Sequence, residues 1–156
     1  MTWGLAMARA AVALGMMAAT IPATAGSAAQ TGTLRVEVGN VRTARGRVHI
    51  DVCTQAQFLK DCPLSAEMPA HAGTTVVTLT GLPPGRYAVQ AFLDENGNGK
   101  VDQALFGVPK EGVGFSNDAR IKLGPPKWTD AMFDTTGADQ TIKFSLRYFI
   151  GGDAKR

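Results

Sequence analysis

Leu34, Val36 and Val38 alternate with Arg35 and Glu37, and Val48, Ile50 and Val52 alternate with Arg47, His49 and Asp51. Val77 and Leu79 follow Thr75 on one face, and Tyr87, Val89, Ala91 and Leu93 repeat the pattern. Near the end Ile142, Phe144, Leu146 and Tyr148 alternate with Thr141, Lys143, Ser145 and Arg147. A period of two gives a strand one face for a core and one for water. The connections are rich in Gly, Pro and Asn, as turns require. A helical pattern is confined to a turn or two around Trp128 to Phe133, after Pro125-Pro126. The pattern predicts an all-β fold, an antiparallel β-sandwich of about seven strands with one short helical turn.

The first residues change where this domain begins. Met1 to Arg9 carries one positive charge and no acid, and Ala10 to Ala19 is an unbroken apolar run. Ala23-Thr24-Ala25 is a small-x-small cleavage pattern, with Ser27-Ala28-Ala29 as a second candidate. These features predict a signal peptide over 1–25, with cleavage as late as 29, and export to the periplasm or medium. The rival is a buried N-terminal helix. The run is too short to span a bilayer, no later segment is long enough, and no cysteine stands near the cleavage site to carry a lipid. One β-sandwich domain over 30–150 and a flexible polar tail over 151–156 remain. Loss of Arg9 lowers the formal charge from +3 to +2. The bases are scattered, so nucleic acid is not indicated.

Cys53 and Cys62 lie nine positions apart. In an oxidising compartment such a pair most simply forms one disulfide. A metal pair or a redox pair is the rival reading. Neither histidine is placed to complete a zinc site, and the spacing is not Cys-x-x-Cys.

Asp94-Glu95-Asn96-Gly97-Asn98-Gly99-Lys100-Val101-Asp102 is the densest cluster of oxygen-bearing side chains in the chain. Asp94, Asn96 and Asn98 stand two residues apart, Gly99 follows and Asp102 closes the run, as in the first half of an EF-hand calcium loop. The twelfth position is Leu105, where such a loop has a bidentate glutamate. Glu111 lies in the long glycine-rich stretch from Gly107 to Asn117, which reads as neither helix nor strand, and could fold back to supply that carboxylate. The expected calcium ligands are therefore Asp94, Asn96, Asn98, the Lys100 carbonyl, Asp102 and Glu111. The competing reading makes Asn96-Gly97 and Asn98-Gly99 tight turns bonded to local backbone. Transition metals fit poorly, because the donors are hard oxygens and imidazole is missing.

Catalysis finds less support. Ser116 sits in Gly-Phe-Ser-Asn, which is not a nucleophile elbow. His49 lies mid-strand on the face opposite Val48 and Ile50, solvated and near Asp51, and His71 lies in a Pro/Ala/Gly loop. An acidic site around Asp94, Asp102 and Glu111 could make a small secreted hydrolase. The chain shows no aromatic stripe for a sugar cleft, and Trp128 and Phe133 suit a core.

Leu82-Pro83-Pro84-Gly85-Arg86-Tyr87 resembles the turn into a central strand of transthyretin-like sandwich domains, which with the strand pattern suggests a transthyretin-like or immunoglobulin-like arrangement. That string joins the Cys53/Cys62 loop with Phe58, Asp94 to Asp102, Gly107-Val108-Pro109-Lys110-Glu111, Gly114-Phe115-Ser116-Asn117 and Trp128-Thr129-Asp130-Ala131. In this order they resemble the bacterial domain of unknown function 2141 family over nearly the whole mature chain. The resemblance implies a small exported β-sandwich and no assigned activity. The reading favoured is an exported, non-catalytic binding or accessory domain with a calcium-ordered loop, which meets an unknown protein or cell-surface polymer. The oligomeric state is open.

Overall fold

The residues that alternate in the sequence are those the fold buries. Val36, Val38, Val48, Ile50, Val77, Val89 and Leu93 are fully shielded from solvent. A computed structural model describes residues 30–151. The leader read over 1–25, its cleavage positions up to 29 and the tail past Gly151 lie outside the described residues.

Among the described residues eight strands and one α-helix follow in order: β1 (Gly32–Val41), β2 (Arg47–Cys53), β3 (Leu64–Pro69), β4 (Gly73–Leu82), β5 (Gly85–Asp94), β6 (Val113–Phe115), α1 (Trp128–Ala131), β7 (Phe133–Thr135) and β8 (Gln140–Ser145). One sheet runs β4-β1-β8; the other runs β3-β2-β5-β6, with β7 also on β5. Their inner faces enclose one core, so the fold is a β-sandwich. Pairing is antiparallel except that β8 lies parallel to β1, with Val36 opposite Ile142 and Val38 opposite Phe144. The turn after β7 seats against the start of β1, where Asp139 Oδ1 accepts the Thr33 N–H at 2.8 Å. From there β8 can only run in the direction of β1.

Strand β5 is the hinge of the architecture. Tyr87, Val89, Ala91 and Leu93 face the main core. Ala88, on the opposite face, joins a second cluster with Phe58, Phe115, Ala119 and Ala131, against which Trp128 packs. Phe58 comes from the loop tied by the Cys53–Cys62 disulfide, which the structure contains. Its ring meets Phe115 and Trp128 edge-on, at centroid distances of 5.9 and 5.6 Å.

One expectation is corrected. Within the Gly107–Asn117 stretch, Val113–Phe115 is a buried strand, β6, paired to β5 through Gln90 with Phe115 and Phe92 with Val113. Its glycines serve packing. A Cβ on Gly114 would come 2.8 Å from the Ser145 carbonyl oxygen, and one on Gly112 would collide with the Tyr148 ring.

Candidate metal loop

Strand β5 ends on Asp94, whose backbone stands opposite Arg47 of β2. Asp94 is 4 % exposed, and the chain beyond it turns back around its carboxylate. Oδ1 accepts the N–H groups of Gly97 and Asn98 at 2.7 and 3.1 Å; Oδ2 accepts that of Gly99 at 2.7 Å. Asn96 Oδ1 then accepts the Asn98 N–H, and Asn98 Oδ1 accepts the Lys100 N–H. Each asparagine thus bonds backbone two residues on, the Asx turn that lets this residue type hold a tight loop. Their amide nitrogens point the other way. Asn96 Nδ2 and Asn98 Nδ2 donate to the two oxygens of Asp102, at 2.7 and 2.9 Å.

Glu111 closes the arrangement. It is as buried as Asp94. Its Oε1 accepts the Glu95 N–H at 2.9 Å and its Oε2 the Asp102 N–H at 3.0 Å, so one carboxylate spans both ends of the loop. Leu105 is 83 % exposed and far from this role. Asp94, Asn96, Asn98, Asp102 and Glu111 are therefore brought into one network, and Lys100 enters it through its N–H. Among the described residues no three His, Cys, Asp or Glu side chains converge as a ready metal cluster. Each carboxylate oxygen accepts from two directions. Asp94 Oδ1 is filled, while Asp94 Oδ2 and the Asp102 and Glu111 oxygens each keep one acceptor direction after the bonds above. The donors are oxygens, the type that hard cations take, and in this arrangement the two asparagine amides occupy Asp102.

A second cluster braces the loop, and period-two patterning gave no hint of it. The Arg42 guanidinium pairs with Glu95 and lies over the Tyr148 ring, 4.6 Å from its centroid. Arg45 reaches the other Glu95 oxygen at 3.4 Å. Tyr148 OH accepts the Arg42 N–H, and burial pushes its phenol pKa up. The Arg-x-x-Arg spacing in the β1–β2 turn was the available signal, since it puts two cations near an acid-rich loop.

The residues considered for catalysis are occupied elsewhere. Ser116 is fully buried; its Oγ accepts the Val89 N–H at 2.9 Å and donates to the Ala131 carbonyl. It joins β5, β6 and α1. His49 is half-buried, which corrects its reading as a solvated residue. Its Nε2 lies 2.9 Å from Asp51 Oδ1, Nδ1 lies 3.7 Å from Glu67, and its ring packs on Phe92. Those neighbours raise its pKa, the Asp51 hydrogen bond most, against an opposing effect of burial.

A family model described as "Uncharacterized protein conserved in bacteria (DUF2141)" matches residues 36–143, which spans β1 to β8 and the whole of the loop network. No curated protein and no solved structure matches the chain. Among the described residues no helix is long and apolar enough to cross a membrane.

Proposed function

We propose a function for a chain that belongs to the bacterial DUF2141 family of uncharacterised proteins: it is an exported, non-catalytic binding or accessory module whose Asp94–Asp102 loop is ordered further by calcium. The observation that carries this is Glu111. It stands outside the loop in sequence, yet its carboxylate bridges the Glu95 and Asp102 N–H groups. That supplies, from the far side, the acid that Leu105 cannot. Asp94, Asn96, Asn98, Asp102 and the Lys100 carbonyl would complete an oxygen set around calcium, and the cation would fix a loop that now depends on asparagine amides. The hydrolase reading around Asp94, Asp102 and Glu111 is not favoured, because all three carboxylates already accept hydrogen bonds within the loop network.

The test is thermal unfolding of chelator-stripped protein. With few formal charges at the site, affinity should resemble that of extracellular modules, about 0.1–1 mM. At about 1 mM calcium and a Kd near 0.1 mM, linkage adds roughly 1.4 kcal/mol. The melting temperature should rise by a few degrees, and magnesium should do much less. Asp102→Ala should remove the calcium-dependent rise, and Asp134→Asn, beside Arg86 at the other end of β5, should keep it. Identical melting with and without several millimolar calcium would leave the loop as a pair of Asx turns.

A further inference from the structure

An open depression of about 880 Å³ lies beside the outer face of β5, and three separate loops form its rim. The disulfide loop contributes Leu59 and Lys60, the loop after β5 contributes Lys100 and Phe106, and the segment before α1 contributes Lys122 and Leu123. Each loop therefore brings an apolar side chain and a lysine to one face. Phe106 and Leu123 are 101 % and 107 % exposed, so the fold shields neither from water. Leu59 and Phe106 also hold the left-handed backbone conformation, with φ of 63° and 65°. That region is unfavourable for bulky side chains. A fold that both strains its backbone and leaves large apolar groups in water at loop tips marks a surface meant to be covered.

Charge says by what. Among the described residues Lys60, Lys100 and Lys122 take part in no ion pair. The acids on the same rim are Asp51, held by His49 and Gln90, and Asp61. A peptide groove presents side chains packed into its walls. Here the walls hold packed groups such as Phe92 and Phe115, while the rim carries the fully exposed Phe106 and Leu123 with lysines beside them, which matches an interface of acyl chains and anionic headgroups. We propose that this face docks on an anionic lipid surface, with Phe106 and Leu123 entering the acyl boundary and Lys60, Lys100 and Lys122 meeting the headgroups. The assignment goes beyond the calcium reading and does not depend on it.

Co-sedimentation of the purified protein with vesicles tests it, in calcium and again in chelator. One vesicle set is phosphatidylcholine alone; the other is an equal mixture with phosphatidylglycerol. Binding to the mixed vesicles should exceed binding to the neutral ones and fall with salt. Each lysine neutralised to glutamine should weaken it about fivefold. Phe106→Ser with Leu123→Ser should weaken it about tenfold or more at unchanged melting temperature, since the fold shields neither side chain. No binding to the mixed vesicles, or equal binding by the serine variant, overturns the proposal. If those serines instead convert a dimer to a monomer and vesicles leave the protein in solution, the face belongs to a second copy. The calcium-dependent melting rise stands or falls apart from every one of these results.

Discussion

His49 occupies a strand position that alternation assigns to water, yet its ring is held between two carboxylates. Asp51 comes from its own strand, Glu67 from β3, and Phe92 from β5 lies against the ring. Arg47 also pairs with Glu67, and Gln90 donates to the second Asp51 oxygen, so the acids are shared. The folded pKa is raised above the ordinary value, so the protonated ring stabilises the native state. That contribution is fully present below the unfolded pKa of about 6.5 and is lost as pH rises through the higher folded value. Wild-type protein should therefore exceed His49→Gln in melting temperature by more at about pH 5.5 than at about pH 8.5. A gap independent of pH would mean that the ring serves only as packing on Phe92.

The stretch from Gly112 to Tyr148 shows how one element braces another. Gly112 gives its carbonyl to the Leu93 N–H and leaves room for the Tyr148 ring, which in turn carries Arg42 and through it Glu95. A methyl group at Gly112 would displace the ring, and overpacking of this kind costs about 1–3 kcal/mol. Gly112→Ala should lower stability by that amount in urea titration, and Tyr148→Ala with Gly112→Ala should lose less than the two single losses added. Additive losses would show that the glycine and the ring do not share a contact. The same stretch shows which parts of the fold were legible. Strands with a full alternating face, such as Leu34 to Val38 and Val48 to Val52, announce themselves because one side meets the core and the other water. Strand β6 does not, since Val113, Gly114 and Phe115 are buried on both sides and the glycine that permits it also signals a loop. Strand β3 is an edge strand, mostly exposed and ending in Pro69, so its apolar face is too thin to read. At the loop, spacing alone singled out Asp94, Asn96, Asn98 and Asp102, and the structure joins them by hydrogen bonds. The turn of each asparagine amide toward Asp102 was not, because it depends on backbone donors that only the folded loop presents.

At the scale of the whole molecule the apolar residues described form two clusters, one on each face of β5. The main core lies between the sheets. The outer one holds Phe58, Ala88, Phe115, Ala119 and Ala131, and is roofed by segments with little regular pairing of their own. Phe58 reaches it from a loop whose ends are fixed by Cys53–Cys62, nine positions apart. Closing a ring of that size contributes roughly 2.5–3 kcal/mol on the chain-entropy model. Removing the bond frees the loop that carries Phe58, while the strands of the main core keep all their partners. Opening should then begin in the outer layer, as cooperative units of lower stability do. In a Cys53→Ala/Cys62→Ala variant at low urea, the amides of Phe58, Lys60, Ala119 and Met132, each bonded within this layer, should exchange with solvent first. Those of Val36, Val38 and Ile50 should stay protected until global unfolding. If all of them lose protection together with one common free energy, the two clusters form a single cooperative unit and the disulfide stabilises the sandwich as a whole.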